Sequence, residues 1–258
     1  MTAHEHILQL RPCAGFGNRL RALVSGMCAA QDAERYLQVR WCQEVGICRG
    51  DLLTFFTPTS FPKFVMIENV VPGTASIDEI PCNSPADWDH AFQQCNSTIS
   101  PVSIASHAHF HQTDPERWTN HLRTLQPNPR LKAQILNLFQ NSTTVVGVHV
   151  RRTDNHMSIK NSPTAAFIDA MDAYPQTTMF FVASDDDRER IAMQARFPGR
   201  ILTAARFLER TTTNGGVDAF LDFLGLSMCS EILGSHYSSF NEMAAAYGGI
   251  QLKVIKTT

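Results

Sequence analysis

Four short stretches of this sequence carry residue types that could do chemistry. The first is His149-Val150-Arg151-Arg152-Thr153-Asp154, with two guanidinium groups, an imidazole and a carboxylate inside six residues. Adjacent arginines suit a phosphate-bearing ligand, because the guanidinium fork matches phosphate oxygens. The same residues fit a salt bridge from Arg151 or Arg152 to Asp154 equally well. The second stretch is Ser184-Asp185-Asp186-Asp187 and the third is Ser235-His236-Tyr237-Ser238-Ser239. The fourth, Cys13-Ala14-Gly15-Phe16-Gly17-Asn18-Arg19-Leu20-Arg21, pairs a glycine turn with positive charge at a helix start, where an anion offsets the unfavourable dipole.

Regular elements must position these groups. Thr144–Val150 is β-branched and nearly free of polar residues, as in a strand covered on both faces of a parallel sheet. Ligands of such sheets bind beyond the carboxyl ends of the strands. Met179–Ala183 and Ile232–Gly234 read as further strands that run into the two serine-containing clusters. The spacing predicts helices over Thr164–Ala173, Arg188–Phe197, Gly216–Ser227 and Asn241–Tyr247, and a last strand over Leu252–Ile255. This alternation describes an open parallel sheet. If the three strand ends are neighbours, they line one crevice. The arginines would hold a diphosphate, Ser238 and Ser239 would precede an anion-favouring helix N-terminus, and Asp185, Asp186 or Asp222 could grip a ribose hydroxyl or a base N–H. Helix capping accounts for one of the three aspartates at 185–187. A metal-binding reading of that run is second to the diphosphate reading.

The N-terminal half opens with a strand at Ile7–Arg11, the glycine loop, a helix from Arg19 to Tyr36 with Asn18 as its N-cap, and a strand at Leu37–Trp41. The loop lacks the third glycine of a dinucleotide fingerprint, and no Gly-Lys-Ser/Thr follows to make a P-loop. From Cys42 to Leu125 prolines interrupt the pattern, leaving an irregular half with long loops. His107, His109 and His111 would share a face if they lay on a strand, and could then bind a metal, form an exposed polar strand face or wall an acceptor cleft. Helices are expected at Pro115–Leu125 and Pro129–Phe139. The domains are expected at residues 1–125 and 126–258.

Composition narrows the class. With 258 residues, 43% hydrophobic content and a formal net charge of -2, the chain can build a substantial core and has no bulk charge for nucleic acid or anionic membranes. No apolar run approaches the ~20 residues of a membrane span. Seven cysteines without a CxxC pair read as reduced thiols of a cytoplasmic enzyme, with Cys42, Cys48, Cys82 and Cys95 available to pair in an oxidising setting.

Taken together, Gly15-Phe16-Gly17-Asn18-Arg19-Leu20-Arg21-Ala22, His149–Asp154, Phe181-Val182-Ala183-Ser184-Asp185-Asp186 and the run Asp222, Ser227, Gly234, Ser235, Ser238, Ser239, Phe240 resemble, in order, the motifs of the fucosyltransferase superfamily. That group contains the α1,2-, α1,6- and protein O-fucosyltransferases and the bacterial nodulation-factor enzymes. The resemblance implies an α/β, GT-B-like fold of two Rossmann-like halves with parallel sheets, the first trimmed. It implies inverting, metal-independent transfer from GDP-fucose, without a cofactor, to a glycan or glycoconjugate hydroxyl. By analogy Arg151 grips the β-phosphate, and Arg152 is secondary. His149 and Asp222 hold the guanosine, with Asp185 or Asp186 nearby. Ser238 and Ser239 contact the diphosphate, and the loop of Gly15, Gly17, Asn18 and Arg19 comes close to the reacting sugar. Some α1,6 enzymes carry a glutamate base shortly after the arginines. Here Asn155–Lys160 contains none, which leaves Asp154 and His156 as candidate bases. The other readings are a transferase for GDP-mannose, GDP-rhamnose or UDP-xylose, and a non-catalytic nucleotide or carbohydrate binder.

Overall fold

A computed structural model describes residues 6–42, 49–70, 79–97, 101–111, 113–142, 144–204 and 212–257. The chain divides into two compact units, one up to Gln126 and one from Pro127 onward, with residues 212–213 grouped with the first.

The first unit runs β1 (Ile7–Pro12), α1 (Phe16–Asp32), β2 (Tyr36–Cys42), α2 (Leu52–Phe55), β3 (Val65–Val70), β4 (Ile80–Pro81), α3 (Pro85–Ser97), β5 (Val102–Ser106) and α4 (Pro115–Thr124). Its strands form one sheet in the order β3-β2-β1-β5-β4, with every pairing parallel. The irregularity expected here is confined to the connections and the two-residue β4; the sheet itself is regular. Its strands alternate. Leu8, Leu10, Leu37, Val39 and Ile104 are buried in register. They pack toward α1, where a Cβ on Gly26 would lie 2.5 Å from Leu10 Cδ2. The opposite face carries a polar row. Ser103 Oγ donates to Gln9 (2.5 Å), Gln9 Nε2 to Gln38 (2.8 Å) and Gln38 Nε2 to Glu68 (2.8 Å).

Two expectations for this unit are corrected. Pro85 is a helix start, not a break: proline suits the first helical position because its missing N–H would be unpaired there anyway. Ser84 and Asp87 close the turn reciprocally, Asp87 N–H donating to Ser84 Oγ (3.2 Å) and Ser84 N–H to Asp87 Oδ2 (2.9 Å). The three histidines do not share a strand face, because β5 ends at Ser106 and His107–Ala108 form a bend. His109 stacks on Trp118 at 5.1 Å, whereas His111 Nε2 lies 2.6 Å from Asp32 Oδ2. Burial alone would raise the Asp32 carboxyl, but hydrogen bonds from Arg117 and His111 outweigh it and hold the group below the ordinary range. These histidines tie α1, α4 and the β5 loop together. Among the described residues no group of three His, Cys, Asp or Glu is placed to hold a metal ion.

The second unit runs α5 (Pro129–Phe139), β6 (Val145–Val150), α6 (His156–Asn161), α7 (Thr164–Asp172), β7 (Met179–Ser184), α8 (Asp187–Arg196), β8 (Ile201–Leu202), α9 (Thr213–Ser227), β9 (Glu231–Ser235), α10 (Ser239–Gly248) and β10 (Gln251–Ile255). The sheet order is β10-β9-β6-β7-β8, again all parallel. Strand β6 is central and buried at every position, as its continuous apolar sequence predicts. Val146, Val148 and Val150 enter a core with Phe167, Met171, Phe180, Val182, Met193 and Phe197. Burying each large side chain contributes about 1.5–3 kcal/mol. On the other face Phe181 packs so closely on α9 that a Cβ on Gly225 would lie 2.3 Å from its ring.

Cys13, Cys28, Cys42, Cys82 and Cys229 carry free thiols, and the Cys48 and Cys95 side chains lie outside the described residues. Among the described residues no helix is long and apolar enough to cross a membrane.

Candidate active site at the carboxyl ends of three adjacent strands

Strands β9, β6 and β7 are neighbours, and all three polar clusters follow the same end of the sheet. The registers His149↔Gly234 and Val150↔Ser184 place the clusters side by side. The adjacency required by the sequence reading is therefore present.

The loop after β6 is held from both sides. Ser235 Oγ donates to His149 O (3.1 Å) and accepts from Arg151 N–H (2.9 Å). Ser184 Oγ donates to Val150 O (2.8 Å). Asp185 accepts from Arg152 N–H (2.7 Å) and Thr153 Oγ1 (2.6 Å), so its carboxylate shapes the loop. The same carboxylate lies 2.9 Å from Arg151 Nη1, while Arg151 Nη2 donates to Asp154 Oδ1 at 2.5 Å. Arg151 is thus pinned at its backbone and aimed by two acids. Its side chain is 25% exposed and that of Asp154 57%. Of the two readings of the sequence, the strand-end salt bridge from Arg151 to Asp154 is present.

Arg152 is turned inward. Its Nε donates to Glu189 (2.7 Å), Nη2 to Thr164 Oγ1 (3.2 Å) and Nη1 to Arg151 O (2.9 Å). Those bonds make it a brace for the loop. Asp186 caps α8, accepting from Arg188 N–H at 2.9 Å, and the Arg188 side chain beside it holds its carboxyl below the usual range. Asp222 is nearly buried and accepts from Arg190 Nη2 (3.0 Å), which also donates to Ser184 O (2.8 Å). Asp222 therefore supports the end of β7 from beneath. Glu189, Thr164 and Arg190 escaped the sequence reading. Charged residues on a helix next to a strand-end acid were the available signal.

On the other side, the His149 ring stacks on Phe240 at 5.0 Å, and Phe240 meets Phe223 edge-on at 6.0 Å. Ser238 is the buried N-cap residue of α10, and Ser239 is its first helical residue. The helix starts two residues before the expected Asn241, so its N–H groups are those beside the serines. Asn241 is instead a brace, its Nδ2 donating to Ser235 O at 2.8 Å. A Cβ on Gly234 would lie 2.2 Å from that Nδ2. His156 is exposed at the start of α6, and Asn155 caps that helix by accepting from Ser158 N–H at 3.0 Å.

The glycine loop belongs to the first unit. Ala14 takes the left-handed turn, with φ 65°, and α1 begins at Phe16 with Gly15 as its N-cap. Asn18 is therefore inside the first turn, a correction to its expected capping role. Gly17 is buried in that turn, whereas a Cβ on Gly15 would meet nothing within 4 Å. Arg19, expected to face ligand, is fully buried. Its Nε donates to Ala14 O (2.7 Å), its Nη1 to Cys42 O, and its guanidinium lies 5.4 Å from the Trp41 ring centre. It fastens the loop to the end of β2. Arg19→Ala should lower stability by about 2–3 kcal/mol by stripping buried carbonyls of their donor, read as a drop in the urea midpoint.

Neither a protein-family model nor a curated protein matches the sequence. Solved structures do. The Bradyrhizobium NodZ α-1,6-fucosyltransferase soaked with GDP-fucose superposes with TM-score 0.65 at 20% identity, over 94% of this chain and 92% of that one. POFUT1 in its apo form gives TM-score 0.65 at 11% identity, over 99% of each chain. A point mutant of Arabidopsis thaliana FUT1 in complex with GDP gives 0.64 at 13% identity, over 96% of this chain and 70% of that one. The class defined is therefore the α/β, GT-B-like class of two parallel five-stranded sheets. Within it, the chain has the fold of the fucosyltransferases.

Proposed function

We propose that the protein is an inverting, metal-independent glycosyltransferase that moves fucose from GDP-fucose to a hydroxyl of a glycan or glycoconjugate. The observation that carries this reading is Arg151. Its guanidinium stands at the carboxyl end of the central strand, fixed at its backbone by Ser235 and aimed by Asp185, within the fold that fucosyltransferases share. NodZ and POFUT1 structures with GDP-fucose support the choice of donor.

In this reading the diphosphate lies between Arg151 and the N-terminus of α10, with Ser238 and Ser239 beside it. His149 and Phe240 form the wall toward the guanosine. Asp185 and Asp186 orient the neighbouring loops, and Asp222 acts through Arg190 rather than by direct grip. The C1–O bond of the donor breaks with its electron pair passing to the β-phosphate, where Arg151 meets the growing charge. That is electrostatic catalysis by a preorganised cation. The acceptor oxygen bonds to C1 from the opposite face, and its proton passes to a base.

Asp154 is our choice for that base. Diphosphate binding to Arg151 displaces the Asp154 carboxylate, leaving an exposed acceptor for a hydroxyl proton. Two opposite effects follow for Asp154→Asn. GDP affinity should rise several-fold, because the internal competitor loses its charge. The kcat should fall about 10²-fold or more with the loss of general-base action. Titration calorimetry and steady-state kinetics read the two separately. If GDP affinity falls instead, Asp154 merely positions the arginine. His156→Ala, by contrast, should leave kcat nearly unchanged if Asp154 is the base.

The experiment for the function itself is a thermal-shift screen. GDP at 100 times its Kd should stabilise the protein by about 2.7 kcal/mol, with UDP and ADP giving much less.

A further inference from the structure

The backbone at Tyr237 is in the left-handed region, with φ 56°, where a bulky side chain is an outlier. The residue is 70% exposed, so burial does not offset the strain. Yet the surrounding chain is locked. Asn155 Nδ2 donates to Tyr237 O (2.8 Å), Ser158 Oγ to His236 O (2.6 Å), and Ser162 Oγ accepts from His236 N–H (2.8 Å). Ser158, Ser162 and Asn241 are fully or almost fully buried, and Asn241 holds the preceding Ser235 carbonyl. Strain that surrounding contacts over-determine marks a site where the strained residue is used.

The Asn155 bond sets the use. It joins the Tyr237 loop to the loop that carries Asp154, the candidate base, two positions from Arg151's partner Ser235. Met157, half exposed on the first turn of α6, and His236, with its ring 6.3 Å from that of Tyr237, complete the rim. An open aromatic ring presents a negative face to polarised C–H bonds, as the flat side of a pyranose offers.

We infer that Tyr237 is the platform of an acceptor subsite, stacking on the pyranosyl ring whose hydroxyl is delivered to Asp154. This assignment rests on the transferase reading above. The strain makes it testable in two directions at once. In Tyr237→Gly the backbone conformation becomes unstrained, so the melting temperature should rise. GDP affinity should stay within about twofold of wild type, while KM for a saccharide acceptor should rise about three- to tenfold, the order of one aromatic ring contact. Tyr237→Phe, which keeps the ring, should retain the wild-type KM. The probes are lactose, mannotriose and chitotetraose, with GDP-fucose as donor and free GDP as the readout.

A fall in melting temperature for Tyr237→Gly would make the residue structural and overturn the inference. A tenfold loss of GDP affinity would reassign the ring to the nucleotide. An unchanged acceptor KM in an active Tyr237→Gly protein would sink the subsite alone. Wild-type protein that neither binds GDP nor releases it from GDP-fucose would sink the transferase reading itself.

Discussion

If the proposed reading holds, Arg151→Ala should lower kcat for transfer from GDP-fucose by about 10²–10³-fold, the cost of removing one preorganised group from a developing anion. GDP affinity should fall as well, but less, because in that reading the charge on the β-phosphate grows as the glycosidic bond breaks. Arg151→Lys recovers part of the loss: a point charge returns, but not the two-pronged fork that now spans Asp154 and Asp185. The fold survives both changes, since the side chain is partly exposed and its backbone bond to Ser235 does not need the guanidinium. The checks are single-turnover kinetics, GDP titration and an unfolding curve on the same samples. Arg152→Ala has a different signature. Its bonds go to Glu189, Thr164 and the Arg151 carbonyl, so stability and loop order suffer before chemistry does.

Asp222→Ala should destabilise the second unit by about 3–5 kcal/mol. The Arg190–Asp222 pair is almost wholly buried, at 6% and 9% side-chain exposure. Removing one member of such a pair leaves the other charge poorly compensated in a low-dielectric interior. Arg190 also donates to Ser184 O, so the end of β7 should loosen and, if GDP binds as proposed, its affinity should drop with it. The double replacement Arg190→Met with Asp222→Leu removes both charges and restores most of the stability while activity stays low. Urea unfolding of the two single variants and the double variant gives the coupling directly. Additive losses would show that the pair is not the source of the effect.

The second unit was legible from sequence because its central strands are buried on both faces. Val145–Val148 and Met179–Ala183 are apolar throughout, so each strand and the polar residues that follow it stand out. The first unit was less so. Its sheet carries Gln9, Gln38, Glu68 and Ser103 on one face, which halves the apolar signal per strand. Its helix α3 begins at a proline that looks like a break. The gathering of these polar residues at strand ends was more legible than the contacts each side chain makes. Arg151, Ser235, Asp185 and Ser238 are where strand ends should put them. Whether an arginine meets a ligand or a buried carbonyl depends on tertiary contacts distant in sequence. Arg19 reaches Cys42 O, Arg152 reaches Glu189, and Arg190 reaches Asp222. No local spacing encodes those partners. The left-handed backbone at Tyr237 was likewise invisible, because neither glycine nor asparagine announces it.

The most direct test of the central claim is release of free nucleotide from a donor panel of GDP-fucose, GDP-mannose and UDP-xylose, with the three saccharide probes, with and without EDTA. The account predicts GDP release from GDP-fucose well above the other donors, undiminished by EDTA and lost in Arg151→Ala. Turnover confined to UDP-xylose, activity abolished by EDTA and restored by Mn²⁺, or wild-type rates in Arg151→Ala would contradict it.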